Sequence, residues 1–156
     1  MARDAAALLL RVVAGLIFLP HGWSKIAGEG GAAAFAGDMA ASYGIPAFFG
    51  HVAAWSEVVG AILLVAGLFT RLDALLLAAT MFVAAFVVQL PDALYEVPAS
   101  AIKPFVVIRG IETPLAMFAI CVALVLTGAG RFSLDQVLRG VIDKKKAAAE
   151  AAAVQV

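Results

Sequence analysis

Four stretches of the chain are almost purely apolar and long enough for helices that cross a bilayer. Crossing about 30 Å of hydrocarbon takes roughly 20 helical residues. The runs lie at about 5–20, 48–69, 72–90 and 105–126. Arg11 is the only charged residue of the first run and Glu57 of the second. The third carries only Asp73, at its start, and the fourth carries Arg109 and Glu112 in its first half, with Pro114 as a candidate kink. The second run ends at Thr70-Arg71, a turn so short that the second and third helices must form an antiparallel hairpin.

Two shorter pieces have amphipathic patterns. After the link from Gly28 to Gly31, the residues Phe35, Met39 and Tyr43 recur at helical spacing within 32–43, which predicts a short helix on the outer surface. After the fourth run, Ser133 can cap a helix with Gln136 as its reciprocal partner. Leu134, Val137, Leu138, Val141 and Ile142 then form one apolar stripe, with Arg139 and Lys144 to Lys146 nearby. This predicts a helix over about 133–143 resting on an anionic inner leaflet. The expected fold is therefore all-α: a membrane-embedded four-helix bundle over residues 1–143 with short interfacial helices, followed by a basic, then Ala-rich, flexible tail over 144–156.

Composition agrees with lipid as the solvent. The chain is 64% apolar with a mean hydropathy of +1.03, well above a soluble domain of about half apolar residues. Net charge is zero, so nothing points to nucleic acid as a partner. Cys121 is the single cysteine, which leaves no intramolecular disulfide or Cys-x-x-Cys chemistry and suits a small packing residue. Basic residues set the expected orientation. With both termini in the cytoplasm, that side holds Arg3, Arg71, Arg131, Arg139 and Lys144 to Lys146, against Lys25, Lys103 and Arg109 outside. A cleaved signal peptide ending near Ala32-Ala33-Ala34 is the competing reading, and Arg11 within its apolar region argues against it.

An ionisable side chain inside a bilayer costs a few kcal/mol or more unless it finds a partner or water, so Arg11 and Glu57 demand an explanation. Arg11, Gly15, Phe18, Gly22 and Lys25 share one face of the first helix if it continues past Pro20, and Glu57, Gly60 and Leu64 share a face of the second. At a rise of about 1.5 Å per residue, Arg11 lies roughly 10 Å from the inner end and Glu57 roughly 13 Å from the outer end. The remaining offset of roughly 7 Å in a 30 Å core permits an Arg11–Glu57 ion pair. Glu112 falls near the depth of Glu57, while His21, Lys25, Gln89 and Arg109 lie closer to the outer surface.

Two readings follow: a charged staple that fixes helix packing, or a polar pocket opening outward. Two acids against several bases exceed what one staple needs, which favours the pocket. Neighbouring carboxylates would also raise one another's pKa unless Arg11 or Lys25 compensates, as suits proton transfer. His21 and His51 near the outer helix ends are poor candidates for haem or metal ligands. Nothing in the sequence supplies supporting ligands, and Trp23 and Trp55 beside them mark an ordinary membrane interface.

These residues together resemble the DoxX family of small four-helix membrane proteins. The resemblance rests on Arg11, Gly15, Phe18, Gly22 and Lys25, then Glu57, Gly60, Leu64, Gly67, Thr70 and Arg71, then Glu112 and the closing segment from Gly128 to Asp135. It extends to about Gly140, and Ala129 departs from the proline usual between the two closing glycines. The resemblance implies a multi-pass subunit of a redox system in a bacterial cytoplasmic membrane, of the kind found in thiosulfate:quinone oxidoreductase and in complexes that handle thiol stress. It implies a quinone head group in the pocket, with Glu57 or Glu112 relaying protons and Arg11 fixing a carbonyl oxygen. No nicotinamide, flavin or Fe–S motif is present in the sequence, so electrons would come from a substrate or a redox partner protein. The alternative is a non-catalytic binder, transporter or assembly partner for a lipid, a small solute or another protein, with oligomers allowed.

Overall fold

The computed structural model describes residues 1–95 and 103–154. All regular structure among them is helical: α1 Ala2–Ala27, α2 Gly31–Tyr43, α3 Ala47–Ala66, α4 Thr70–Val83, a π-helical segment Ala84–Gln89, α5 Leu90–Tyr95, α6 Lys103–Thr127 and α7 Leu134–Val154. Four helical spans are long and apolar enough to cross a membrane: Ala2–Ala27, Ala47–Ala66, the continuous Thr70–Tyr95 and Val107–Thr127. Large apolar side chains such as Leu16, Ile62, Leu72 and Leu75 point outward, at 66%, 60%, 70% and 57% exposure. That is the inverse of a soluble bundle and the pattern expected where lipid is the solvent.

α1 packs mainly on α3, α4 mainly on α6, and α2 lies across α3. With lipid outside, close backbone approach replaces hydrophobic exclusion as the source of helix adhesion. Gly15 and Gly22 provide it between α1 and α3: a Cβ at Gly15 would lie 2.9 Å from the Ala61 carbonyl oxygen, and one at Gly22 would lie 2.8 Å from the Val58 amide nitrogen. The interior is then filled by Phe18, Leu64, Leu77, Met117, Cys121 and Leu124. Cys121 is fully buried among them.

α1 continues through Pro20, whose missing N–H leaves the Leu16 carbonyl without its helical donor. One residue on, His21 Nδ1 lies 2.8 Å from the Ile17 carbonyl oxygen. The third span contains a stretch that its apolar run does not announce. Over Ala84–Gln89 the helix widens, and the Leu90 amide donates to Ala85, five residues back. Such π-turns rotate the following side chains relative to a regular helix.

The end of the bundle that carries the N-terminus is clasped by hydrogen bonds between distant segments. α3 stops at Gly67 (φ 70°), with the Gly67 amide donating to Leu63 and Leu64 and the Leu68 amide to Leu63, a Schellman closure. Phe69 follows in the left-handed region at φ 50°, a conformation costly for a bulky residue. Asp135, in the first turn of α7, holds it there by accepting from the amides of Phe69 (2.8 Å) and Thr70 (3.0 Å) at the start of α4. Asp135→Ala is therefore expected to lower stability by about 1 kcal/mol, as for loss of a helix N-cap. An unchanged midpoint in thermal unfolding of the detergent-solubilised protein would show that this bridge contributes nothing.

Ser133 caps α7, its hydroxyl accepting from the Gln136 amide at 3.3 Å and donating to the Gly130 carbonyl at 2.7 Å, but among the described residues the Gln136 side chain makes no reciprocal bond. α7 extends beyond 143. The segment expected to be a flexible tail is helical through Val154, because its Ala, Lys and Glu residues are strong helix formers; residues 155–156 lie outside the described set. Its stripe of Leu134, Val137, Leu138, Val141 and Ile142 is 46–61% exposed.

Candidate functional site

Lys25 and Glu57 form the ionic centre of the bundle. Glu57 projects from the middle of α3 and is completely buried. Lys25 comes from the last turn of α1, and its ammonium reaches Glu57 Oε1 at 2.5 Å. Gly22 makes the approach possible, since a Cβ there would lie 2.8 Å from the Glu57 Cβ. α2 completes the surround: the Lys25 ammonium lies 5.0 Å from the centroid of the Phe35 ring, a cation–π contact. The Lys25 side chain is 24% exposed and that of Glu57 only 1%. The pair thus runs from a partly open cation inward to a closed carboxylate. Glu57 Oε2 is buried with no hydrogen-bond partner, so one acceptor of the pair remains free for a ligand or a proton. At the far end of α2, the Tyr43 hydroxyl donates to Asp92 Oδ2 of α5 at 2.6 Å, which holds the phenol above its ordinary pKa.

Arg11 does not pair with Glu57, contrary to the depth estimate. Cα–Cβ bonds lean toward a helix's own N-terminus, so on antiparallel helices two facing side chains diverge along the axis. Arg11 leans toward the terminal end of the bundle and Glu57 toward the opposite end, where Lys25 leans back to meet it. Arg11 is 1% exposed and spends its guanidinium on carbonyls: Nε on Leu64 (2.9 Å), Nη2 on Val65 (3.2 Å) and Phe132 (2.9 Å), and Nη1 on Ala129. Leu64 and Val65 lie in the last turn of α3, the negative end of its dipole. The staple reading therefore describes Arg11, with backbone in place of a carboxylate.

Glu112 and Arg109 of α6 are both exposed, on the outward face of the helix, and are not brought beside Glu57. His21 is exposed and Gln89, in the π-helical segment, is half-buried. Only Lys25 of the expected outer group joins Glu57. Among the described residues, no three His, Cys, Asp or Glu side chains converge as metal ligands.

One acid escaped sequence reasoning. Asp73 is 7% exposed, its Oδ2 lacks a partner, and a Cβ at Gly60 would lie 2.7 Å from its Oδ1. At the start of a helix an acid normally serves the dipole while remaining solvated, so its position conceals its burial. The glycine opposite, on α3, is the one sequence signal that pointed inward.

The fold and the pair define a class: a multi-pass membrane protein of four spans, with an ionic pair between its first two spans. The family model described as DoxX matches residues 6–90, more than half of the sequence, and the chain belongs to the DoxX family. That match includes Arg11, Lys25, Glu57 and Asp73 and ends before Glu112. Among curated proteins, the chain is 40% identical over 87 residues to "Putative oxidoreductase CatD" of Bacillus subtilis (strain 168), covering 56% of this chain and 62% of that protein. No solved structure matches the chain.

Proposed function

We propose that the protein is an integral component of a redox system in a bacterial cytoplasmic membrane, and that its Lys25–Glu57 site takes the head group of a quinone. The observation that carries this reading is the unpartnered, buried Glu57 Oε2 beside a Lys25 ammonium that is partly open. A quinone carbonyl needs a donor, which Lys25 supplies. Its reduction also needs protons delivered away from bulk water, and a buried carboxylate coupled to an accessible amine suits that transfer. Electrons come from a reduced substrate or partner protein. The oxidoreductase name of the Bacillus relative supports this class of chemistry. The basic residues favour cytoplasmic termini: Arg3, Arg71, Arg131, Arg139 and Lys144 to Lys146 belong to the terminal end of the chain's topology, and Lys25, Lys103 and Arg109 to the other.

The second reading is a binder or assembly subunit without turnover, favoured by Arg109 and Glu112. Both are exposed on a spanning helix, where lipid-facing charge is expensive and a second protein or copy would neutralise it. Titrating decylubiquinone into the purified protein separates the two. The redox reading expects saturable binding, and reduction in membranes that supply the partner, with Glu112→Gln behaving as wild type. Wild-type protein that neither binds nor reduces the quinone sinks it. A Glu112→Gln protein that loses a co-purifying partner while its quinone binding is intact places α6 at an assembly surface.

A further inference from the structure

A second polar site lies at the opposite end of the bundle from Lys25 and Glu57. A cavity of about 400 Å³ opens there, and Arg3 of α1, Arg71 of α4, Arg131 of the α6–α7 connection and Arg139 of α7 all line it. Its only acidic lining residues are Asp4 and Asp135. Both are already engaged: Asp4 accepts from the Arg131 amide at 3.0 Å and pairs with the terminal amine at 3.3 Å, and Asp135 accepts from Phe69 and Thr70. Among the described residues, no ion pair joins any of the four arginines to an acid. All four arginines are exposed, so solvent screens part of their mutual repulsion, and an anion shared among them would relieve the rest.

The cavity is built rather than incidental. Gly128 and Gly130 turn the connection through φ 76° and 73°, and a Cβ on Gly128 would lie 3.1 Å from Arg71 Nε, in the space the guanidinium uses. Arg11 fixes the same connection from beneath through the Ala129 and Phe132 carbonyls. Arg3 is held by its bond to the Thr127 carbonyl at 3.3 Å. Four arginines and the terminal amine against two carboxylates leave an excess of positive charge, which suits a multiply charged anion such as a phosphate group. Guanidinium forks fit phosphate oxygens in bidentate fashion.

We propose that this arginine-lined cavity binds a phosphate-bearing anion, presented either by a lipid headgroup or by a water-soluble phosphate. The exposed apolar residues Phe69 and Leu72 on its lining, at 59% and 70% exposure, give an acyl chain somewhere to lie. A lipid headgroup would enter from the membrane surface, and a soluble phosphate from the aqueous side.

The test uses the full chain with two probes: dioleoylphosphatidic acid in phosphatidylcholine nanodiscs, read by native mass spectrometry, and inorganic pyrophosphate, read by calorimetry in detergent. The Arg71→Gln/Arg139→Gln double variant is expected to weaken binding by about tenfold or more. The triple variant K144Q/K145Q/K146Q removes three charges outside the cavity and should lose far less. Arg139→Gln alone, on the exposed α7, keeps the test informative if the double variant does not fold. Phosphatidic acid binding alone assigns the site to lipid, and pyrophosphate binding that displaces the lipid assigns it to a soluble phosphate. Binding of neither probe overturns the proposal, as does a lysine triple variant that loses as much as the arginine pair.

Discussion

Arg11→Ala is expected to destabilise the protein by about 1–3 kcal/mol, the range for leaving buried polar groups without their partner. The loss arises from the groups left behind. Leu64, Val65, Ala129 and Phe132 would each present a carbonyl oxygen with its guanidinium donor gone. The Leu64 carbonyl would keep the Gly67 amide, and Val65 and Phe132 belong to exposed residues, so the loss stays near the cost of one or two unsatisfied groups rather than four. Arg11→Lys should recover little, because one ammonium cannot serve acceptors that fan around a planar fork. A β-carbon at Gly67 would lie 2.7 Å from Arg11 Cζ, so the guanidinium occupies a slot that only glycine leaves open. The measurement is thermal unfolding in detergent, with quinone binding by the fraction that remains folded. A wild-type midpoint would refute the stapling role. A normal midpoint with quinone binding abolished would return Arg11 to the ligand site.

Glu57→Gln is the complementary case, with its largest effect on function. The substitution keeps the shape but removes the charge facing Lys25 and, with it, the proton exchange proposed for this carboxylate. If the pair serves quinone reduction, the rate should fall by about 10²–10⁴, the usual contribution of a positioned acid–base group. Membrane insertion should persist, since the apolar spans are untouched. Lys25→Met/Glu57→Leu adds a control: replacing both partners by apolar residues of similar size should leave stability near or above wild type while activity stays absent. Turnover by Glu57→Gln membranes at the wild-type rate would remove Glu57 from the chemistry. A double variant that fails to fold while the single one folds would show that the pair is structural.

How much of this was legible beforehand varied with the physics involved. Four spans follow from run length against bilayer thickness, and α2 and the Ser133 cap from local periodicity and hydrogen-bonding chemistry. The π-turn at Ala84–Gln89 left no such trace, because its residues continue the same apolar run. Helix continuation to Val154 was readable from propensity, and the basic, low-complexity composition obscured it.

At the site, the sequence by itself determined that Arg11 and Glu57 must be satisfied inside the membrane. Which partners satisfy them was decided by the tertiary structure. Depth along a helix fixes where a Cα lies, whereas the lean of each Cα–Cβ bond and the antiparallel pairing of α1 with α3 fix where the charge ends up. That difference sends Arg11 to the carbonyls at the end of α3, Glu57 to Lys25, and Glu112 to the outer face of α6. Charge in a sequence states a need for a partner. Only the packing of helices, which brings residues 53 to 121 positions apart against Arg11, selects it.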